Sequence, residues 1–374
     1  MSSYLGTSAF GLRIPVIKTG DDIRGIIVNT LEQACLDGEY NPKEKDIIGI
    51  TESVVARSLG KYVTIDDIVK NLKVLFPEGG TVVLYNPIFS RNRFSIILRS
   101  FARYFKNIIM LVDDVDEVGN TAKHQITEVD YYKLYSDICA NEGCTLFFED
   151  TCDAELIDIL HDTVNIINCT LHPSLDRNYE RLEELIHNEI FKSGKKVRYC
   201  ELKHICNDVS LYGLLGSNKV DEETLKLFPD SRQSNSIING IRHDLKNKFG
   251  LTDIEVMIYG DGCYKDADTG IWEFADPEVS PAFTLGLSGY PSELKLKYLA
   301  DDELKNLSGL ELTDAIKERI KSKKVMQGTM ETQGTTPRRY VNLLGSLMDL
   351  ISGSGDKGTP VVVVQDYFKN YSDE

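Results

Sequence analysis

Short, nearly uninterrupted apolar runs, each bounded by polar or turn-forming residues, constrain the fold most strongly. The run 254–259 reads IEVMIY and the run 360–365 reads PVVVVQ. Runs of this length, rich in branched side chains, predict β-strands, and the weak alternation of several of them predicts burial on both faces. Seven runs are predicted to be strands: 46–51, 81–85, 107–112, 145–148, 164–170, 254–259 and 360–365.

Amphipathic segments separate these runs and predict helices. In 235–249 the apolar residues Ile238, Ile241 and Leu245 share one face, and Gly250 is a suitable helix stop. The segments 177–191 and 313–324 show the same periodicity. Strands that alternate with helices indicate a mixed α/β fold.

The length and charge of the chain limit the classes of function. A chain of 374 residues fits two domains, or one large domain with an insertion. Its net charge of −16 argues against a general nucleic-acid-binding protein and against docking on anionic membranes. The N-terminus lacks a signal pattern, and no apolar run is long enough to span a bilayer, so we expect a cytoplasmic protein.

The cysteines give one alternative reading. The eight cysteines contain no CxxC pair, and scattered cysteines in a large cytoplasmic chain are usually free thiols. Cys200, His204 and Cys206 form the only metal-like cluster, with a spacing that matches no standard zinc signature. A zinc hydrolase therefore stays open as a third hypothesis.

A glycine- and serine-rich segment before the last predicted strand is a candidate phosphate-binding loop. Glycines allow backbone N–H groups to approach an anion closely, and a lysine adds positive charge. The P-loop pattern is absent, so a flexible connection is the structural alternative. The candidate residues are Ser352, Gly353, Ser354, Gly355, Asp356, Lys357 and Gly358.

Two further segments carry charged candidates. Arg338 and Arg339 follow Pro337 and suit bidentate binding of phosphate or carboxylate, although the same segment also reads as a capped helix start. Asp261 follows the predicted strand 254–259, and carboxylates there suit Mg²⁺ or Mn²⁺. Asp266 and Asp268 are further candidate metal ligands, and a solvated turn is the alternative.

Four arginines lie close together in an otherwise acidic chain. Arg91, Arg93, Arg99 and Arg103 fall within thirteen positions, and the last two are four apart on one predicted helical face. They fit either a polyanionic substrate or pairing with surface carboxylates, which is the commoner situation.

Taken in order, several segments resemble the coenzyme F-420 γ-glutamyl ligase family. The segment 14–22, IPVIKTGDD, is similar to the family's PLIKEGDD signature, and 47–61, IIGITESVVARSLGK, resembles its strand and VVSKAEGR-like turn. YGLLGSNKV at 212–220 resembles NAGIDASNV, and the closing 342–344 and 352–364 resemble NLLMGEGGDGIPAVVV. The strand that ends at Asp261 resembles the family's strand before a metal-binding Asp. Residues 85–210 resemble instead a bacterial branch of poorly defined function.

The resemblance implies amide formation through an acyl phosphate, with GTP or ATP as co-substrate and Mg²⁺ or Mn²⁺. It implies nucleotide contacts by the phosphate loop and by Pro15, Val16, Ile17, Lys18, Ser53, Arg57 and Asn218. It also implies that Asp261 ligates a metal, and we group Asp261, Arg338 and Arg339 as candidate catalytic residues. Three positions depart from the family: Arg57 stands for a lysine, Leu215 for a metal-binding Asp, and Ser354 for an acidic ligand.

These observations predict a ligase-like unit interrupted by an insert. The first part spans 1–84, the inserted α/β region 85–210, and the second part, with the nucleotide and metal loops, 211–374. The expected activity joins glutamate or a similar amino acid to a small acidic acceptor. A nucleotide-binding sensor or partner protein that has lost ligase activity is the alternative, which the departures at Leu215 and Ser354 favour. The family resemblance also implies an intertwined homodimer.

Overall fold

The structure is a computed structural model, and it confirms a mixed α/β fold. It describes residues 5–85, 87–89, 92–112, 115–116, 121–124, 128–149, 163–170, 194–260, 263–265, 272–274, 282–323, 339–352 and 356–373. The strands are β1 (Ser8–Leu12), β2 (Asp46–Thr51), β3 (Tyr62–Thr64), β4 (Thr81–Tyr85), β5 (Asn107–Leu111), β6 (Thr145–Glu149), β7 (Thr163–Asn168), β8 (Lys196–Glu201), β9 (Ser217–Lys219), β10 (Thr224–Leu227), β11 (Ile254–Tyr259), β12 (Cys263–Lys265), β13 (Trp272–Phe274), β14 (Ala282–Phe283) and β15 (Val361–Gln365).

The helices lie between these strands, as the periodicity predicts. They are α1 (Ile23–Leu36), α2 (Glu52–Ser58), α3 (Ile65–Leu75), α4 (Arg93–Tyr104), α5 (Tyr131–Asn141), α6 (Ser231–Phe249), α7 (Gly309–Lys321) and α8 (Tyr340–Ser352). Each of the seven predicted strands is present, and the predictions at 235–249 and 313–324 correspond to α6 and α7. The predicted helix 177–191 lies outside the described residues. Among the described helices, none is long and apolar enough to cross a bilayer.

A mixed sheet forms the centre of the first unit, with strand order β1-β15-β2-β11-β14. Strands β2 and β11 are parallel, and the other neighbouring pairs are antiparallel. Side chains of β2 alternate between the two faces: Ile48 and Ile50 pack with α1 and α6, whereas Ile47 packs with α8. Helices on both faces explain why the apolar runs show so little alternation.

The inserted unit is built on a separate five-stranded sheet in the order β6-β5-β4-β7-β8, and every neighbouring pair is parallel. Its central strand is β4, which the predicted boundary at residue 85 assigns to the preceding part of the chain. The boundary is displaced because β4 pairs with β5 and β7 rather than with the mixed sheet. The core on one face also includes residues of α3, such as Ile68 and Leu72.

Two small sheets complete the described strands. Strands β3, β10 and β9 form a three-stranded antiparallel sheet. Strand β3 follows α2 in the chain, and β9 and β10 contact the same helix. Strands β12 and β13 form a two-stranded antiparallel pair after β11. The three-stranded sheet matters for function because β9 and β10 bring polar side chains against the start of α2.

Candidate functional site

Several of the predicted segments meet where the parallel strands β2 and β11 end, which we call the β2–β11 edge. The N–H of Thr51, the last residue of β2, donates to the carbonyl of Pro360 at 2.9 Å, so the residue that precedes β15 lies beside this edge. Strand β1 pairs with β15 with Leu12 opposite Val361, which brings the segment after β1 to the same edge. Distant parts of the chain therefore converge here.

Helix α2 begins directly at the β2–β11 edge. Its first residue, Glu52, is only 2% exposed, and an acidic side chain in the first turn is favoured by the helix dipole. Ser53 and Arg57 are exposed and four positions apart, so they occupy one face of the helix. Within the described part of the chain, Arg57 forms no ion pair, which leaves its guanidinium available to an anionic ligand.

The three-stranded sheet supplies a lysine and an asparagine to the same place. Asn218 and Lys226 are directly opposite each other on β9 and β10. The Nδ2 of Asn218 donates to Glu52 Oε1 at 3.3 Å, the Nζ of Lys226 lies 3.8 Å from that oxygen, and Lys226 also donates to the Ser53 hydroxyl. Two predicted nucleotide contacts, Ser53 and Asn218, are thus connected through a buried ion pair.

Glu52 also lies against the backbone that leads to Asp261. A Cβ atom built on Gly260 would come within 2.9 Å of Glu52 Cγ, so only glycine fits beside this side chain. A buried carboxylate at the ends of two parallel strands is an appropriate ligand for a hard divalent cation. Asp261, Asp266 and Asp268 lie outside the described residues. In the described ranges no three His, Cys, Asp or Glu residues cluster as a metal site. Glu52 is the buried described carboxylate that would hold a metal at this edge.

The segment 15–18 lies near α2, the helix that begins at the β2–β11 edge. Ile17 is buried, whereas Pro15, Val16 and Lys18 are exposed. The N–H of Lys18 donates to Asp21 Oδ2 at 2.6 Å, and the N–H of Gly20 donates to the carbonyl of Ser58 at 2.8 Å, at the end of α2. These bonds fix the exposed Lys18 near the helix that carries Arg57.

The phosphate-loop candidate is closed by one short bond. Thr359 Oγ1 donates to the carbonyl of Ser352 at 2.6 Å, which joins the end of α8 to the start of β15. Asp356, Lys357 and Gly358 are exposed, so a lysine ammonium faces solvent at the β2–β11 edge. Gly353, Ser354 and Gly355 lie outside the described residues.

Arg339 does not lie at the β2–β11 edge. It precedes α8, a helix of 13 residues and therefore about 20 Å long, whose other end reaches the phosphate-loop candidate. Tyr340, the next residue, packs on Phe368, which follows β15 and lies at the opposite edge of the mixed sheet. The alternative of a helix start therefore describes Arg339 better than a contact at the β2–β11 edge. Arg338 lies outside the described residues.

The cysteine cluster does not form a zinc site among the described residues. Burial raises the pKa of the Cys200 and Cys206 thiols to about 12, and in the described ranges no three His, Cys, Asp or Glu residues are grouped so that they could hold a metal ion. His204 uses Nδ1 to accept a hydrogen bond from the N–H of Glu201 at 3.2 Å. These side chains have structural roles in the inserted unit.

Leu215, one of the three predicted departures from the family pattern, is a packing residue. Its side chain packs against the apolar core of the inserted unit, and its carbonyl accepts a hydrogen bond from Arg93 at 2.8 Å. A residue in this position contributes packing and no metal ligand.

Two residues of the site were not predicted from the sequence. Glu52 follows an apolar strand directly, which is the same signal that identified Asp261, and this signal would have been sufficient to find it. Lys226 lies in a four-residue strand, TLKL, and the sequence around it does not indicate that this lysine is buried or which carboxylate it pairs with. Their pairing depends on the tertiary structure.

The fold and the site together describe an α/β protein with exposed cations and a buried carboxylate near one edge of a mixed sheet, and with a separate parallel sheet. Comparison with family models makes the assignment specific: the chain belongs to the F420-0:gamma-glutamyl ligase family, whose model matches residues 11–366. The match covers both units and so includes the insert. A comparison with curated proteins finds no match.

Proposed function

We propose that the chain is a nucleotide- and divalent-metal-dependent amide ligase of the γ-glutamyl ligase type. It would join glutamate or a similar amino acid to a small acidic acceptor. The observation that carries the proposal is a buried carboxylate at the β2–β11 edge, with exposed cations on and around the helix that begins there. Lys18, Arg57 and Lys357 supply positive charge, and Glu52 supplies the carboxylate.

The reaction requires positioning and neutralisation of charge more than covalent chemistry by the protein. The nucleotide's terminal phosphoryl group transfers to the acceptor carboxylate, and the amine of the second substrate then displaces phosphate to form the amide. Glu52, together with Asp261, which follows the last residue of β11 by two positions in the sequence, would hold a divalent ion. That ion would neutralise the phosphate oxygens during transfer.

The chain's own residues have separable roles in this proposal. Arg57 and Lys18 bind phosphate oxygens from one side, and the loop 352–358 binds them with backbone N–H groups and Lys357. Lys226 positions Glu52 and Ser53, since it contacts both. The nucleotide is GTP or ATP, and the active species is proposed to be a homodimer.

Calorimetric titration with GTP and ATP, with Mn²⁺ and with chelator, tests the proposal. We expect metal-dependent binding of one nucleotide, and a loss of about tenfold or more in affinity for Arg57→Met, because a charged hydrogen bond contributes about 1.5–3 kcal/mol. Lys70→Met, which removes an equally charged but exposed side chain on α3, is the control. Absence of binding for both nucleotides in both conditions would refute the proposal.

A sensor or partner protein without ligase activity is the second candidate, because Leu215 provides packing where the family has a ligand. Asp261→Asn separates the two. For the ligase, this variant loses the metal-dependent part of nucleotide binding and keeps its fold. For the sensor, the parent protein already binds nucleotide equally well in Mn²⁺ and in chelator.

A further inference from the structure

The inserted unit has the strand arrangement of a doubly wound nucleotide-binding domain. Its first strand in the chain, β4, is central, with β5 and β6 on one side and β7 and β8 on the other. The order of the strands therefore reverses between β4 and β7. In open parallel sheets, ligands bind in the crevice at such a reversal, beyond the carboxyl ends of the two strands.

Described residues on both sides define this crevice. The N–H of Cys169, the first residue after β7, donates to the carbonyl of Tyr85, the last residue of β4, at 2.9 Å. The N–H of Phe89 donates to Asp116 Oδ2 at 2.8 Å, which fixes the turn between β4 and α4. The carboxyl ends of β4 and β7 are thus held side by side, and Phe89, between β4 and α4, is tied to Asp116 after β5.

Arg93, the first residue of α4, differs from the other arginines of this helix. Arg99 and Arg103 pair with Glu142 at 2.7 and 3.0 Å. The guanidinium of Arg93 donates from Nη1 to the Leu215 carbonyl at 2.8 Å, and no carboxylate within the described ranges forms an ion pair with it. Its Nε and Nη2 are the two donors of the edge that binds oxyanions in a bidentate manner.

The groups around Arg93 do not neutralise it. Burial lowers the pKa of the Arg93 guanidinium, and the ionisable groups that oppose this effect are the Cys169 thiol and the Tyr135 phenol. Arginine stays protonated through such shifts. The crevice therefore contains a partly buried positive charge without a carboxylate counter-ion among the described residues.

Thr170 provides a second and independent observation. It lies two residues beyond β7 and is 4% exposed, and its backbone N–H donates to Asn168 Oδ1 at 2.9 Å. Its Oγ1 is buried and has no hydrogen-bond partner among the described residues. Burial of a hydroxyl without a partner is unfavourable, so a hydroxyl left in this state beside a ligand crevice indicates a role in binding.

We propose that the crevice between the start of α4 and the end of β7 binds the phosphate monoester group of a small metabolite, separately from the β2–β11 edge. The Arg93 fork, the Thr170 hydroxyl and the N-terminus of α4 provide three kinds of donor. A phosphate has three terminal oxygens to meet them, whereas a carboxylate has two.

The sequence of the turn narrows the ligand class further. Residues 85–93 read YNPIFSRNR and contain no glycine, whereas a dinucleotide pyrophosphate needs glycines for close backbone approach. The turn therefore favours a single phosphate group, bound by side chains and helix amides, over a dinucleotide.

Isothermal titration calorimetry of the full chain with inorganic phosphate tests this site. We expect Thr170→Val to weaken phosphate binding about tenfold, since it removes one hydrogen bond to a charged group. The same variant should leave the urea midpoint unchanged or raise it, because the hydroxyl has no partner to lose. Arg93→Lys keeps the charge, removes the fork and should also weaken binding.

Two matched variants control the interpretation. Thr81→Val makes the same substitution at the opposite end of β4, where the hydroxyl accepts a hydrogen bond from Asn107 at 3.2 Å. It should lower stability and leave phosphate affinity unchanged. Arg57→Met alters the β2–β11 edge and should leave phosphate binding in the insert intact.

The outcomes distinguish this proposal from the proposed function. Phosphate binding that is lost in Arg57→Met and intact in Thr170→Val and Arg93→Lys would overturn the second site and leave the ligase proposal standing. Absence of phosphate binding, or acetate binding as tight as phosphate binding, would also overturn it.

Discussion

Replacing Lys226 with methionine is expected to destabilise the protein, because it leaves the buried Glu52 carboxylate without its cationic partner. The side chains of Lys226 and Glu52 are 10% and 3% exposed, and Nζ lies 3.8 Å from Oε1. With an effective dielectric constant of about 20, charges at this separation attract by about 4 kcal/mol. Removing one partner of a buried pair typically costs about 3–5 kcal/mol.

A double-mutant cycle isolates this interaction. Lys226→Met should lower the free energy of unfolding by about 3 kcal/mol, while Glu52→Gln combined with Lys226→Met should recover part of the loss. Urea unfolding of the four proteins would measure the coupling energy. We expect a value of about 2–4 kcal/mol, reduced from the Coulomb figure by the contact of Lys226 with Ser53.

Lys219 is the matched control for this experiment. It lies on the neighbouring strand β9 and pairs with Glu222, but these side chains are 25% and 81% exposed. A solvent-exposed pair contributes about 0–1 kcal/mol, so Lys219→Met should change stability little. A Lys226–Glu52 coupling energy no larger than the Lys219 effect would refute the reasoning that burial makes this pair important.

Three further predictions concern other parts of the structure. Glu142→Gln should lower the free energy of unfolding by about 1 kcal/mol at pH 7, because Arg103 and Arg99 lower the pKa of Glu142. This stabilisation is present above the ordinary pKa of a glutamate and is lost as the pH falls through the lowered value. Urea midpoints of variant and parent that differ as much at pH 3 as at pH 7 would contradict the prediction. Cys200 and Cys206, with pKa values raised to about 12, should resist alkylation by iodoacetamide at pH 8 in the folded protein, and the half-buried Cys35 should be alkylated before them. Peptide mass mapping of samples taken over time would show the order of alkylation. Gly49→Ala should cost about 1–3 kcal/mol by overpacking, since its Cβ would lie 2.0 Å from Met348 Sδ, and an unchanged melting temperature would show that α8 moves away freely.

The sequence by itself determined the strands, the principal helices and the family. Continuous apolar runs such as 254–259 indicate strands that are buried on both faces, because side chains on both sides of such a strand are then removed from water. The motif order along the chain also indicated Ser53, Arg57 and Asn218 as candidate nucleotide contacts, which stay predictions, and the structure connects Ser53 and Asn218 through Glu52 and Lys226. The strands and the family could be predicted because they depend on local composition and on the order of motifs along the chain.

Pairings between distant residues were decided by the tertiary structure alone. The sequence grouped Arg338 and Arg339 with the phosphate loop, but the length of α8 places Arg339 at the other end of the mixed sheet. Arg99 and Arg103 were equally suited to a substrate or to carboxylates, and Glu142 decided between these roles. Arg93 differs from them only because no described carboxylate reaches it. Charge pairing depends on distances between elements, and those distances follow from packing rather than from neighbours in the chain.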